Sequence, residues 1–231
     1  MLMTNSEIMN AHRTSRRASG FNLTELFIVI GVIAFLAAMV IPALYSAATW
    51  HGKKGRILCV KNLKEIGVTL RSEASQDPMQ VVLTNSETMK RVTNGSAYLL
   101  WQTLSNSLES PSSLHCLDDR HRKVAQSFSQ GFSNTNISYF FNLDAPATYP
   151  QLILAGDRNV SVDNLTTRPG LLTVSTNTVF AWTKTDLHRG VGNLLMADGS
   201  CMQVTSNGLN RAFAEAFSAS TNITSARLVI P

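Results

Sequence analysis

Five side chains hold the chemistry that could make a site: His115, Asp157, Asp186, His188 and Asp198. Imidazoles and carboxylates move protons or bind cations once the fold brings them together. Their spacing alone shows no such pattern. No serine stands in a nucleophile-elbow sequence, no two histidines have the spacing of metal ligands on one helix face, and the glycines form no phosphate loop. A hydrolase is therefore not expected, and the ordinary reading is solvated loop carboxylates with one turn aspartate. The three cysteines, Cys59, Cys116 and Cys201, cannot all pair within one chain, and their spacing fits no zinc pattern. Burial as small apolar side chains is the expected state, with at most one internal disulfide in an exported domain.

Glu25 is harder to read as surface chemistry. It stands at the head of residues 26–45, twenty positions without one charged side chain. At about 1.5 Å per residue, a helix of that length covers about 30 Å, the hydrocarbon thickness of a bilayer. Core helices of soluble domains are rarely apolar on every face, so a membrane-spanning helix is expected. Arg13, Arg16 and Arg17 precede it, and such cations hold their flank in the cytoplasm. A carboxylate at a helix centre in lipid costs about 2.5–3.5 kcal/mol, less towards an end, and usually has a partner. The competing reading is a cleaved secretory signal, with Ala43, Ser46, Ala47 and Ala48 as its small residues. Against it, the run exceeds the usual apolar core of about 7–15 residues, and a discarded signal has no use for Glu25.

Gly20, Phe21, Thr24, Glu25 and the apolar run, with Pro42 inside it, resemble the N-terminal signal of type IV pilins and type II secretion pseudopilins. The resemblance implies that a prepilin peptidase cuts between Gly20 and Phe21 on the cytoplasmic side and methylates the new amine of Phe21. It also makes Glu25 an assembly residue, paired with the amino terminus of Phe21 on a neighbouring subunit. Two charges that are each expensive in lipid would thereby neutralise one another. Further along, Cys59, Asn62-Leu63-Lys64 and Ile66-Gly67 are similar to the segment after the membrane helix in a large group of bacterial pseudopilin-like proteins. His188, nine intervening residues and Asp198-Gly199 resemble that group's C-terminal signature. Where the group commonly carries Cys-Pro, this chain has Cys116-Leu117. Several major pseudopilins bind calcium in a C-terminal loop, which by resemblance makes Asp186 and Asp198 calcium candidates, although the spacing here differs from that loop. No other cofactor is expected.

The expected fold is α+β and pilin-like: a long N-terminal transmembrane helix packed on a globular domain with an antiparallel sheet. Residues 1–20 are read as a leader, 21–75 as one helix kinked at Pro42 and spanning the membrane at about 26–45, and 76–231 as a periplasmic domain. Past the membrane, Val60, Leu63, Gly67 and Leu70 make one stripe with Lys61, Lys64 and Glu65 largely off it. Residues 76–95 read as a loop, and Ala97, Leu100, Trp101, Leu104 and Leu108 as a second helix ended by Pro111. Strands are expected at 137–143, 151–155 and 178–183, where β-branched and aromatic residues concentrate. Tyr139-Phe140-Phe141 reads as alternating core packing rather than a ligand stripe. Asp198-Gly199 between two apolar runs predicts a tight two-residue hairpin, and the two ends of the His188 to Gly199 signature are expected to approach each other on adjacent strands. Ser206 is expected to cap a last helix, with a final strand at 227–230.

These expectations converge on a non-enzymatic, structural subunit of a filament that drives protein export. Its partners are the prepilin peptidase, other pilin or pseudopilin subunits and the inner membrane. It is single-pass, with a cytoplasmic N-terminus and a periplasmic C-terminal domain. A type IV pilus major or minor pilin, serving adhesion or DNA uptake, is the alternative, and a membrane-anchored enzyme is a second. A formal net charge of +5, with no basic cluster, argues against nucleic acid as a partner.

Overall fold

The structure, a computed structural model, describes residues 22–72, 86–145, 149–219 and 223–231. Its first helix, α1 (Leu23–Ser72), runs without interruption through Pro42. The chain divides into two compact units, residues 1–48 and 49–231. In the first, the segment Leu23–Pro42 is long and apolar enough to cross a membrane, and none of it is buried inside the chain. The leader, Gly20 and Phe21 lie outside the described residues.

The second unit is built on a six-stranded antiparallel sheet. Its strands are β1 (Tyr139–Asn142), β2 (Ile153–Asp157), β5 (Gly170–Ser175), β7 (Val191–Met196), β8 (Cys201–Thr205) and β9 (Ser225–Ile230). Their order is β5-β9-β1-β2-β7-β8. The expected last strand is thus an interior strand, paired with β5 along its whole length and with β1 on its other side. A smaller antiparallel sheet has the order β4-β3-β6, from β3 (Val160–Val162), β4 (Leu165–Thr166) and β6 (Phe180–Trp182).

Both faces of the large sheet are covered, as the strand residues demand. Tyr139, Phe141 and Leu195 point into a core shared with Cys59, Leu63 and Ile66 of α1. Phe140 and Leu194, their neighbours in sequence, point into the opposite core with Phe180, Trp182 and Phe213. Period-two alternation puts successive side chains on opposite faces, so the aromatic run is core packing as expected. Helix α4 (Ser206–Ser218) closes the second core with Leu209, Ala212, Phe213 and Phe217, and its Ala216 is buried with Leu152 and Ala197. Gly67 lets α1 lie close on the sheet, because a Cβ there would stand 2.9 Å from Leu195 Cδ1.

Several local expectations are corrected. Residues 76–95 are not simply loop, for helix α2 (Ser86–Thr93) forms there and buries Val92. Helix α3 (Tyr98–Thr103) is shorter than its apolar pattern, although Ala97, Leu100, Trp101, Leu104 and Leu108 are all buried. Ser105, Asn106 and Ser107 follow, and such side chains compete with the helix for backbone groups. Thr205, not Ser206, caps α4 by accepting from Gly208 N, while Ser206 Oγ accepts from Trp182 N. The hairpin between β7 and β8 is wider than a two-residue turn. Gly199 N donates to Met196 O and Met196 N to Ser200 O, and only Gly199 has a positive φ, 85°. That is a three-residue loop with a glycine bulge, which suits Ala197 because it needs no positive φ there.

Candidate functional site

Cys59 of α1 and Cys116 of the segment before β1 are joined by a disulfide, and Cys201 is free. The one internal disulfide that an exported domain permits is thus formed, in place of the expected burial of the cysteines as small apolar side chains, and Cys201 is only half-buried. Helical spacing explains half of the pairing: Gly55, Cys59, Leu63, Ile66 and Gly67 line the buried face of α1, so the Cys59 side chain turns to the domain. A 3-10 turn, Pro111–Leu114, brings Cys116 to meet it. Ser110 caps that turn, and Cys116 N then donates to Ser138 Oγ at 3.0 Å.

His188 stands against this disulfide, with Nε2 3.5 Å from Cys116 Sγ. Its Nδ1 lies 3.0 Å from Asp118 Oδ2, and Nε2 lies 3.4 Å from Asp157 Oδ2. As a carboxylate, Asp118 can only accept, which places the ring proton on Nδ1 and leaves a lone pair on Nε2. Asp157 is fully buried; its Oδ2 accepts from Asn193 N at 2.7 Å and Asn193 Nδ2 at 3.0 Å, while Oδ1 has no partner. Burial pushes the Asp157 carboxyl up to about 8, against the two Asn193 hydrogen bonds and helped by the charges of Asp119 and Asp118. Burial likewise lowers His188, with Asp118 pulling the other way. Both shifts favour uncharged forms, so the His188 and Asp157 contact is a neutral pair although its partners could in principle form an ion pair. Tyr139, whose hydroxyl accepts from Asn62 Nδ2 at 3.3 Å, is pushed well above the usual phenol range by burial and by Asp157.

The turn carrying His188 is held in an unusual shape. His188, Arg189 and Gly190 have φ values of 51°, 52° and 87°. Left-handed backbone costs a non-glycine residue about 1–3 kcal/mol unless its surroundings enforce it. Here they do. Arg158 grips Asp119 through two 2.7 Å bonds and reaches Asp186 at 2.9 Å, and Asp186 accepts from Leu187 N. Asn159 Nδ2 donates to Leu187 O at 2.7 Å, and Gly190 N to Thr183 O at 3.0 Å. Gly55 contributes by absence: a Cβ there would collide with the Asp118 carboxylate.

The other residues singled out in the sequence stand apart from this cluster. His188 and Asp198 occupy opposite ends of β7, so the two ends of the C-terminal signature do not approach each other. Asp186 and Asp198 are separated in the same way and do not converge on a calcium ion. Asp186 serves Arg158, and the Ser200 hydroxyl, together with Ser200 N donating to Asp198 Oδ1 at 2.7 Å, holds the Asp198 carboxyl below the usual range. Arg71 of α1 donates to Asp198 O and packs where Gly199 has no side chain, so this end of the signature also ties α1 to the sheet. His115 is half-buried and contributes its carbonyl to Asn62 Nδ2 at 2.8 Å. Glu25 lies in the first turn of α1, exposed, with Oε2 accepting from Asn22 N at 3.1 Å.

Asp118, Asp119, Arg158 and Asn193 are not marked in the sequence, since nothing local signals side chains that meet across 28 to 70 positions. Comparison with protein-family models, with curated proteins and with solved structures finds no match to this chain.

Proposed function

We propose that the chain is a structural, pseudopilin-like subunit of a filament of the type II secretion kind, anchored in the inner membrane by α1 before assembly. The observation that carries this reading is the uncovered apolar segment Leu23–Pro42 with Glu25 in its first turn. An all-round apolar helix needs lipid or like helices around it, and a carboxylate at its head needs a cation. After removal of residues 1–20, the amine of Phe21 on a neighbouring subunit supplies that cation, and the pairing sets subunit register. The second unit would then form the outer surface of the filament. Its polar cluster around His188, beside the Cys59 to Cys116 disulfide, joins the segment before β1 to the turn before β7, which supports a structural role.

Glu25→Ala tests the reading in cells. Membrane insertion should be unchanged, while recovery of the subunit in sheared or cross-linked filaments should fall by at least tenfold, with Glu25→Asp retaining part of it. Equal incorporation of the alanine variant would remove Glu25 from assembly.

A further inference from the structure

We propose that the junction between α1 and the sheet is a redox-selected metal site: with the disulfide reduced, Cys59 Sγ, Cys116 Sγ and His188 Nε2 bind one zinc ion, and Asp157 takes the fourth position. The inference is independent of whether the chain joins a filament. The three named donors are all buried and lie within 4.8 Å of one another. They come from three separate parts of the chain, which is why cysteine spacing in the sequence hides them.

Three further observations point to a ligand. Asp118 occupies His188 Nδ1, the carboxylate-to-histidine contact that orients a metal-binding imidazole and keeps its other nitrogen free. Asp157, outside that trio, is buried with Oδ2 3.4 Å from the free nitrogen and Oδ1 unpartnered, a state that buried carboxylates rarely keep. The Arg158 clamp on Asp119 and Asp186 holds the His188 turn, so the nitrogen is fixed before any ion arrives. Two thiolates offset the charge of the dication, which suits a site without solvent. Two sulfurs, a nitrogen and a carboxylate oxygen also match zinc better than calcium or magnesium, which prefer oxygen. At zinc–sulfur distances of about 2.3 Å, tetrahedral geometry needs the sulfurs roughly 3.8 Å apart, a short separation once their bond is broken.

The exchange balances. A phosphine reduces the disulfide, giving up two electrons and taking oxygen from water to become its oxide, and two thiols form. Zinc then displaces both thiol protons and the Asp157 carboxyl proton to solvent, the last returning to Asp157 when zinc departs. In reverse, a small-molecule disulfide accepts two electrons from the thiolates and two protons from solvent and leaves as two thiols; the Cys59 to Cys116 bond re-forms and zinc departs. Either state ties α1 to the segment before β1, covalently under oxidising conditions and through the ion under reducing ones.

The test uses the full chain in detergent micelles, oxidised or reduced with a phosphine that is then removed, and titrated with zinc or cobalt chloride. Reduced protein should retain one zinc per chain after gel filtration and give the visible bands of tetrahedral cobalt with thiolate charge transfer. Oxidised protein should give neither, and Cys201→Ser should behave as wild type. Asp118→Asn, which preserves packing, should weaken zinc affinity about 10- to 100-fold. If reduction unfolds the chain, zinc should restore its near-ultraviolet circular dichroism. The proposal is overturned if reduced protein neither binds zinc nor refolds with it, if oxidised and reduced protein bind alike, or if Asp118→Asn binds as tightly as wild type.

Discussion

Asp157 and Gly55 show how single residues set this junction. Folded Asp157 keeps its proton to about pH 8, whereas its ordinary value is 3.8. Between those values the folded state binds the extra proton, so this group makes stability fall as pH rises. His188 acts oppositely, because its folded value lies below 6.5 and stability rises with pH up to that point. The groups around them, Asp118, Asp119 and Tyr139, act through the same cluster. From pH 6.5 to about 8, Asp157 therefore dominates. Wild-type protein should lose unfolding midpoint across that range in chemical denaturation, and Asp157→Asn should show a nearly flat profile. Gly55→Ala should press a methyl group against the Asp118 carboxylate. Overpacking of about 1–3 kcal/mol exceeds a helix-propensity gain of up to about 1 kcal/mol, so a net loss of stability is expected. With Asp118 displaced, the His188 imidazole should also titrate lower still by NMR, since Asp118 is what raises it.

Helix α1 and the two sheets show what was legible at the scale of elements. Apolar spacing marked helix α4 and, in α1, Leu63 and Gly67 of the buried face, because each helix has one regular face against a core, while β1, buried on both faces, was marked by its aromatic residues. Strands β3, β4 and β5 were not read, being short or without clear alternation, and β9 could not be placed in the sheet interior because register is a long-range property. The disulfide was missed for a related reason, its partners being 57 positions apart. It bears on how α1 is held: Cys59→Ser with Cys116→Ser should cost about 2–5 kcal/mol, seen as a lower denaturation midpoint, through added freedom of the unfolded chain. Cys201→Ser should leave that midpoint near wild type.

At the scale of the molecule, an α+β domain and an uncovered apolar helix fit the reading of a subunit built to stand among copies of itself. The sequence signal for this lies in Gly20, Phe21 and Glu25, and the fold adds a domain whose long helix is held by the segment before β1 at Cys59, by the sheet at Gly67 and by the β7–β8 hairpin at Arg71. The most direct test is mass spectrometry of the mature N-terminus purified from its native membrane. The account predicts a chain beginning at N-methylated Phe21, with residues 1–20 gone and the apolar helix retained. A chain that keeps its leader, or one that begins after the apolar run near Ala43 to Ala48, would contradict it.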